Sequence, residues 1–431
     1  MGQYFVAIDP GTSKIVAMIV RKVSKEEISI LHTEKADSEN CIKRGCIYNV
    51  DAANEKITGL INRLNEDYAK PKLHAPIESV YVSIGGQSLH TERYSIHKQV
   101  DKMIDQPLLN AIAEEVKQYK PELYEVLEFL PPEYYVDGQL NASPKGTTAS
   151  SIEARYQLIV VSNPSLKNLI RRAIPQNIEI AGYIVSPLAT AAAVLEKEEK
   201  ELGCALVEFG AGVTSVSIYK SGILRYLTTI PLGGSAITKD VRCLNVSEEE
   251  AENLKKNSGS AVTDFEDLRK ITIDEGLSTS REIEVRNLNI IIEARVNEIL
   301  ENVIHQIQES GYADALGSGI IITGGGAMLR HLEDSFRNKT NKNLRMAYPM
   351  VTGTNQPAEY ATIIGLLTSA EKESVENIQK EPETMQELKS NESIPVNRRK
   401  PSLMDKFKKK LDSLSGDLFN ESDYNTANKN N

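Results

Sequence analysis

Cysteine is scarce in this 431-residue chain. The four present are Cys41, Cys46, Cys204 and Cys243, and no two have the C-x-x-C spacing of a zinc or redox site. They read as reduced thiols of a cytoplasmic protein. The six histidines form no H-E-x-x-H, so a metal site built from Cys and His is not expected. No stretch reaches about 18 uninterrupted apolar residues, so no segment is expected to cross a bilayer as a helix. The opening MGQYFVAIDPGTSK has neither a basic n-region nor an apolar h-region, and is not expected to be a secretory signal. Val6 stands where a myristoylation motif needs Ser or Thr. Positive charge is also short. Fifty Lys and Arg face 60 Asp and Glu, a formal net charge of −10, which argues against a nucleic-acid partner because phosphate backbones are bound by basic surface. The P-loop pattern G-x-x-x-x-G-K-[ST] is missing as well.

What is present has the length of two large domains, at roughly 100–200 residues each. The chain opens YFVAIDPGTSKIVAMIVRKVSKEEISIL, a strand–turn–strand–strand meander punctuated by Pro10-Gly11-Thr12-Ser13. CALVEFGAGVTSVSIYKSGILRYL has the same grammar. Asp9 lines up with Glu208 and Gly11 with Gly210, both 199 residues on, which suggests a duplicated domain. A short Gly/Ser/Thr turn offers backbone N–H groups and hydroxyls to a phosphate with little bulk in the way. Two such turns could clasp a polyphosphate. Asp9 and Glu208 could hold Mg²⁺ through its waters, and Lys14 could add a point charge.

A third glycine cluster, GIIITGGGAMLRHLEDSF, predicts a buried strand Ile320 to Thr323, a tight turn at Gly324-Gly325-Gly326, and a helix from Ala327 to Phe336. Such a turn lets backbone approach a flat ligand, and it is not the G-x-G-x-x-G of a dinucleotide fold. Between the second and third clusters lies NVSEEEAENLKKNSGS. It reads either as a charged surface helix or, through Glu252 and Lys255 one turn apart, as a source of polar groups for a ribose and base. A long helical pattern, EVRNLNIIIEARVNEILENVIHQIQESG, follows it.

The C-terminal region changes character. Residues 371–397 hold seven glutamates, three lysines and two prolines with little apolar content, a flexible-linker composition. PSLMDKFKKKLDSLSGDLF then predicts an amphipathic helix. At about 100° per residue, Leu403, Met404, Phe407, Leu411, Leu414 and Leu418 share one stripe, flanked by Lys408 and Lys410 with Lys406 farther round. Residues 398–411 carry seven basic side chains and one acid against the global −10. Lysines beside an apolar stripe suit an anionic membrane surface, with their stems buried and their ammonium groups at the headgroups. At about 1 kcal/mol per nearby basic residue, one copy binds weakly, and polymerisation would multiply it into firm attachment.

In this order the pieces resemble the actin-like ATPase superfamily. AIDPGTSKIVAMI and VEFGAGVTSVSIY look like its two phosphate motifs, GIIITGGGAML its adenosine motif, and VSPLATAAAVL and QPAEYATIIGLL its two connecting helices. AENLK is similar to a stretch that touches adenosine in bacterial members. Within the superfamily the chain most resembles the FtsA family of bacterial cell-division proteins, from about residue 4 to 370. SVYVSIGGQSLHTERYSIHKQV and LEFLPPEYYVDGQ look like its inserted IC subdomain.

The resemblance implies an α/β actin-like duplicated fold of two domains, each with a mixed five-stranded sheet. Subdomain IA would span 1–79 and 164–196, IC 80–163, IIA 197–239 and 316–370, and IIB 240–315. A disordered linker at 371–400, a membrane-targeting helix at 401–419 and a disordered tail at 420–431 would follow.

It also implies ATP and Mg²⁺ as cofactors. Gly11, Thr12, Ser13, Lys14, Gly210, Ala211, Gly212, Val213 and Thr214 would lie at the phosphates. Glu252, Lys255, Gly324, Gly325, Gly326 and Met328 would lie at the adenosine, and Asp9 and Glu208 at the metal. The implied partners are the C-terminal peptide of the tubulin-like FtsZ, other copies of the chain in filaments, anionic lipids of the inner membrane's cytoplasmic face, and further division proteins through IC. Arg281, Arg286 and Arg295 are candidate contacts for the acidic FtsZ peptide.

Some positions depart from the pattern. Glu208 replaces the usual Asp, Gly210-Ala211-Gly212-Val213 replaces G-G-G-T, and Ser186 stands near the place where some bacterial actins carry a glutamate that positions water. No catalytic residue is evident, and hydrolysis is expected to be slow. A kinase or exopolyphosphatase on this fold would need a carboxylate base beside an acceptor cleft. A PilM-type pilus adaptor lacks a reason for the basic terminal helix. A DnaK-type chaperone would need a substrate domain after residue 370.

Overall fold

The computed structural model describes residues 4–22, 28–162, 165–274 and 280–379, and the helix expected at 401–419 lies outside them. The described residues fall into two compact units, one of residues 88–162 and one of the remainder.

In the larger unit the first meander is Tyr4–Pro10, Lys14–Lys22 and Ile28–Asp37. Phe5 to Ile8 and Ile15 to Val20 are all buried, so the apolar runs are continuous because the sheet is covered on both faces. Two parallel strands, Ser79–Ile84 and Glu179–Val185, extend the sheet beyond Tyr4–Pro10 to five. Ser79–Ile84 is therefore a core strand, and the inserted segment expected from residue 80 begins after it. Its parallel pairing with a strand some 70 residues earlier has no local signature.

The second half repeats the plan. Cys204–Phe209, Thr214–Lys220 and Ile223–Ile230 form a meander, and Ile320–Thr323 and Leu344–Met346 add parallel strands in the same relative order. The registers match as well, since Asp9 lies opposite Val16 and Glu208 opposite Ser215.

Helix Val50–Leu64 starts at Asn49, whose side chain accepts from Ala52 N, and buries Ala53, Ile57, Leu60, Ile61 and Leu64 along one stripe. The two connecting helices are Ser186–Val194 and Ala361–Gln379. The second runs past residue 370, where the linker was expected to begin. The helices meet closely enough that a Cβ on Gly365 would lie 1.7 Å from the Ala189 carbonyl oxygen.

Helix Glu248–Asn257 begins with a reciprocal capping box between Ser247 and Glu250. The long helix Val285–Glu309 packs Leu288, Ile292, Val296, Ile299, Val303 and Ile307 into the core of this half. The helix expected at Ala327 to Phe336 is instead a 3₁₀ turn, Gly325–Met328, and a separate helix, Leu332–Arg337. Between them His331 adopts a left-handed conformation (φ 58°), which breaks the helical path.

The smaller unit is an all-antiparallel sheet with one helix. Its axis is the antiparallel pairing of His90–Met103 with Thr148–Val161, running from Thr148 opposite Met103 to Val160 opposite His90 with a shift of register between Ala149 and Ser151. Glu133–Val136 and Glu125–Phe129 pair with successive stretches of Thr148–Val161. Helix Gln106–Lys117, capped by Asp105 accepting from Leu108 N, drives Leu109, Ile112 and Val116 into a core with Ile96, Tyr156 and Leu158.

Candidate functional site

The two acid-ended turns face each other in the larger unit. A Cβ on Gly212 would lie 2.5 Å from Thr12 Oγ1 and 2.9 Å from Arg44 Cα, so only glycine allows the approach. Gly45 N donates to Thr12 Oγ1 at 2.8 Å and holds the first turn from behind. The carbonyls of Gly210 and Ala211 accept from Gly234 N (3.0 Å) and Ser235 N (2.8 Å), which seats the second turn on the start of helix Gly234–Val241. Thr214 is fully buried, and its hydroxyl donates to Leu232 O at 2.9 Å, so that hydroxyl is engaged within the protein.

Both strand-end acids are surrounded by protein, although each keeps some access to the cleft. Burial raises the Asp9 carboxyl, partly offset by the Ser83 hydroxyl, which donates at 2.5 Å, and by the charge of Lys14. Burial pushes Glu208 up to about 7, opposed by the Thr362 hydroxyl at 2.9 Å and reinforced by the nearby charge of Asp9. Thr190 stands 3.0 Å from the Thr362 hydroxyl. Lys14, at the start of its strand, is ion-paired with Glu359. Burial lowers its pKa.

The third cluster closes on the second turn. Gly324, with φ 95°, and Gly326 both approach Phe209 O so closely that a Cβ on either would lie 2.7 Å away. Met328 beside them is 57% exposed. Helix Glu248–Asn257 is drawn to the same place. Lys255 Nζ donates to Gly234 O (3.0 Å), Thr238 Oγ1 (2.8 Å) and Glu252 Oε2 (2.6 Å). Burial would raise Glu252, but Lys255 and Thr238 outweigh it and hold the carboxyl below its usual value. Past the helix end, Arg330 Nε donates to Gly259 O at 3.0 Å and Ala261 N to Arg330 O at 2.8 Å, which ties this helix to the glycine turn.

The three arginines singled out in the sequence have partners within the protein. Arg281 donates to the carbonyls of Leu244 (2.6 Å) and Asn245 (3.0 Å). Arg295 grips Asp240 through two bonds, at 2.5 and 3.1 Å. Arg286 is 3.3 Å from Glu284. Ser186 opens the first connecting helix, and its Oγ lies 3.0 Å from where a Gly85 Cβ would be. Sequence reasoning missed Arg44, Gly45, Ser83, Thr190, Thr238, Glu359 and Thr362. Thr190, Glu359 and Thr362 lie inside the connecting-helix stretches VSPLATAAAVL and QPAEYATIIGLL, and Ser83 lies inside SVYVSIGGQSLHTERYSIHKQV.

Two sheets of identical order, each with an acid before a glycine turn, joined through crossing helices, define an actin-like fold. Solved structures agree. The PilM–PilN type IV pilus biogenesis complex superposes with a TM-score of 0.58 over 85% of this chain and 98% of that one, at 14% identity. MreB5 of Spiroplasma citri bound to AMPPNP gives 0.52 over 88% and 98%, at 15% identity. The sequence profile of the family described as cell division protein FtsA matches residues 205–365. The Porphyromonas gingivalis cell division protein FtsA is 33% identical over 338 residues, covering 77% of this chain and 70% of its own. The Bacillus subtilis protein of the same description is 30% identical over 377 residues, covering 85% and 83%. The chain belongs to the FtsA family, and it is an actin-like cell-division protein.

Proposed function

We propose that the chain binds ATP·Mg²⁺ between the two turns, assembles with other copies of itself, and ties the FtsZ polymer to the cytoplasmic face of the inner membrane at the division site. The observation that carries the nucleotide reading is the apposition of the Gly11–Ser13 and Gly210–Val213 turns, with the Gly324–Gly326 turn packed against the end of strand Cys204–Phe209. Backbone N–H groups of the two turns and Lys14 face the phosphates, and Glu252, Lys255 and Met328 lie along the base and ribose. The AMPPNP held by the structurally similar MreB5 supports a nucleotide on this fold.

The donor set fits a divalent cation. Asp9 and Glu208 are two desolvated carboxylates of one cleft, close enough for the charge of Asp9 to raise Glu208, and Glu208 is held only by threonine hydroxyls. Asp9 and Glu208 would hold Mg²⁺ there, and the ion would supply charge neutralisation for the phosphates. Ser186, a poor substitute for a water-orienting carboxylate, supports slow turnover. The nucleotide then acts as an assembly switch that favours the closed, polymerising form.

The membrane reading rests on the stripe Leu403, Met404, Phe407, Leu411, Leu414 and Leu418 with its lysines. No helix among the described residues is long and apolar enough to cross a membrane. The smaller unit, residues 88–162, meets a neighbouring copy or another division protein, and the 240–315 region takes the FtsZ peptide. Co-sedimentation with anionic liposomes tests the anchor. The full chain should pellet, residues 1–397 and Phe407→Glu should not, and both should keep ATP affinity. Pelleting of Phe407→Glu at the parent's level would refute the anchor. Steady-state hydrolysis near the roughly 10 s⁻¹ median of ordinary enzymes would restore the kinase or phosphatase reading.

A further inference from the structure

Lys14 is already occupied. Its ammonium pairs with Glu359 and stands 5.3 Å from the ring centroid of Tyr360. Glu359 also lies 3.7 Å from Lys35 Nζ, which is 5.7 Å from the same ring. These residues come from opposite sides of the cleft. Lys14 and Lys35 belong to the first meander, and Glu359 and Tyr360 form the 3₁₀ turn Ala358–Tyr360 that leads into the second connecting helix. The Glu359 Cβ also lies 3.5 Å from where a Gly325 Cβ would be, beside the glycine turn.

We propose that Glu359 is an intramolecular competitor for Lys14: it holds the lysine while the cleft lacks polyphosphate, and a nucleotide's phosphate tail takes the lysine and releases the Ala358–Tyr360 turn. The idea rests on the nucleotide reading above. A partly buried ammonium needs an anion, and Glu359 supplies one negative charge where a triphosphate supplies several. Glu359 is not stranded by the exchange, because Lys35 remains beside it. The released turn is continuous with helix Ala361–Gln379, whose Thr362 holds Glu208 and whose Gly365 touches Ala189. Loss of the Lys14 contact therefore loosens the start of the element that joins the halves. Glu359 is a positioning residue here: it sets the availability of Lys14 without itself touching the nucleotide.

The test is a binding cycle on the full-length protein with Mg·ATP and with adenosine. Lys14 and Glu359 are each about one-quarter exposed, so removing the competitor should tighten Mg·ATP roughly threefold to tenfold in Glu359→Gln. Adenosine affinity should not change, and Glu359→Asp, which keeps the carboxylate, should behave like the parent. In a Lys14→Ala background, adding Glu359→Gln should change nothing. A purely structural role predicts equal or weaker ATP binding instead. Hydrogen exchange on the unmutated protein gives an independent readout: amides 358–362 should exchange faster with Mg·ATP bound than with adenosine bound. The proposal is overturned if Glu359→Gln binds Mg·ATP no more tightly than the parent, if the gain persists without Lys14, or if exchange at 358–362 is the same with both ligands. A parent protein that binds no Mg·ATP would overturn the nucleotide reading itself, and this proposal with it.

Discussion

The Thr362 hydroxyl donates to Glu208 Oε1 at 2.9 Å, so the second connecting helix holds the acid that ends the first strand of the second half. A carboxylate served mainly by hydroxyls has no cation to stabilise its charge. Burial therefore dominates and keeps it protonated to about pH 7.

That has a signed consequence for stability. Unfolded, the group titrates near its ordinary 4.5, and folded near 7. The folded chain thus binds the extra proton between those values. The group's stabilisation is full below about pH 4.5 and is lost as pH rises through about 7. At about 1.4 kcal/mol per unit over the interval from 4.5 to about 7, Glu208→Gln should gain about 3–4 kcal/mol over the parent at pH 8 and almost nothing at pH 4, without nucleotide or Mg²⁺. Urea unfolding of both proteins across this range measures it. A difference independent of pH would contradict the assignment.

Gly212→Ala should separate the facing turns. The new methyl meets Thr12 at 2.5 Å and the Arg44 backbone at 2.9 Å, and backbone cannot rotate aside. Overpacking of this kind costs about 1–3 kcal/mol. Thermal melting should show that loss, and calorimetry should show a larger loss of ATP affinity than of adenosine affinity.

Gly365→Ala should be worse, because its methyl would collide with the Ala189 carbonyl at 1.7 Å. The helices must move apart, at a cost of about 3 kcal/mol or more. A variant with the parent's melting temperature would show that the crossing is looser than this geometry.

Arg295→Ala should lower stability by about 1 kcal/mol, since its paired bonds to Asp240 fasten the long helix to helix Gly234–Val241. Arg286→Glu should leave the urea midpoint almost unchanged, because Arg286 is more exposed and pairs only with Glu284 nearby. Peptide-affinity measurements should therefore weigh Arg286 above Arg295.

The duplicated turns were legible because their chemistry is local. A strand, an acid and a glycine within a few residues leave a pattern, and two copies 199 residues apart reinforce it. The sequence alone puts residues 80–84 in the insert, because parallel pairing of Ser79–Ile84 with Tyr4–Pro10 leaves no trace in nearby residues. The continuous helix expected at Ala327 to Phe336 failed at His331, whose left-handed backbone no apolar period announces. The place of Thr214 in the motif suggests a phosphate contact. Only the tertiary path of Leu232 reveals that its hydroxyl is already used. Arg295 read as a free cation for the same reason, with Asp240 lying 55 residues away.

At Gly365 and Ala189 no side chain stands between the two helices, and backbone meets backbone. Beside that touch the Thr190 and Thr362 hydroxyls meet at 3.0 Å across the same two helices. The backbone contact works as a fulcrum and the hydroxyl pair as a catch next to it: prising the helices apart opens a void along both, and turning one about the other pulls the catch open.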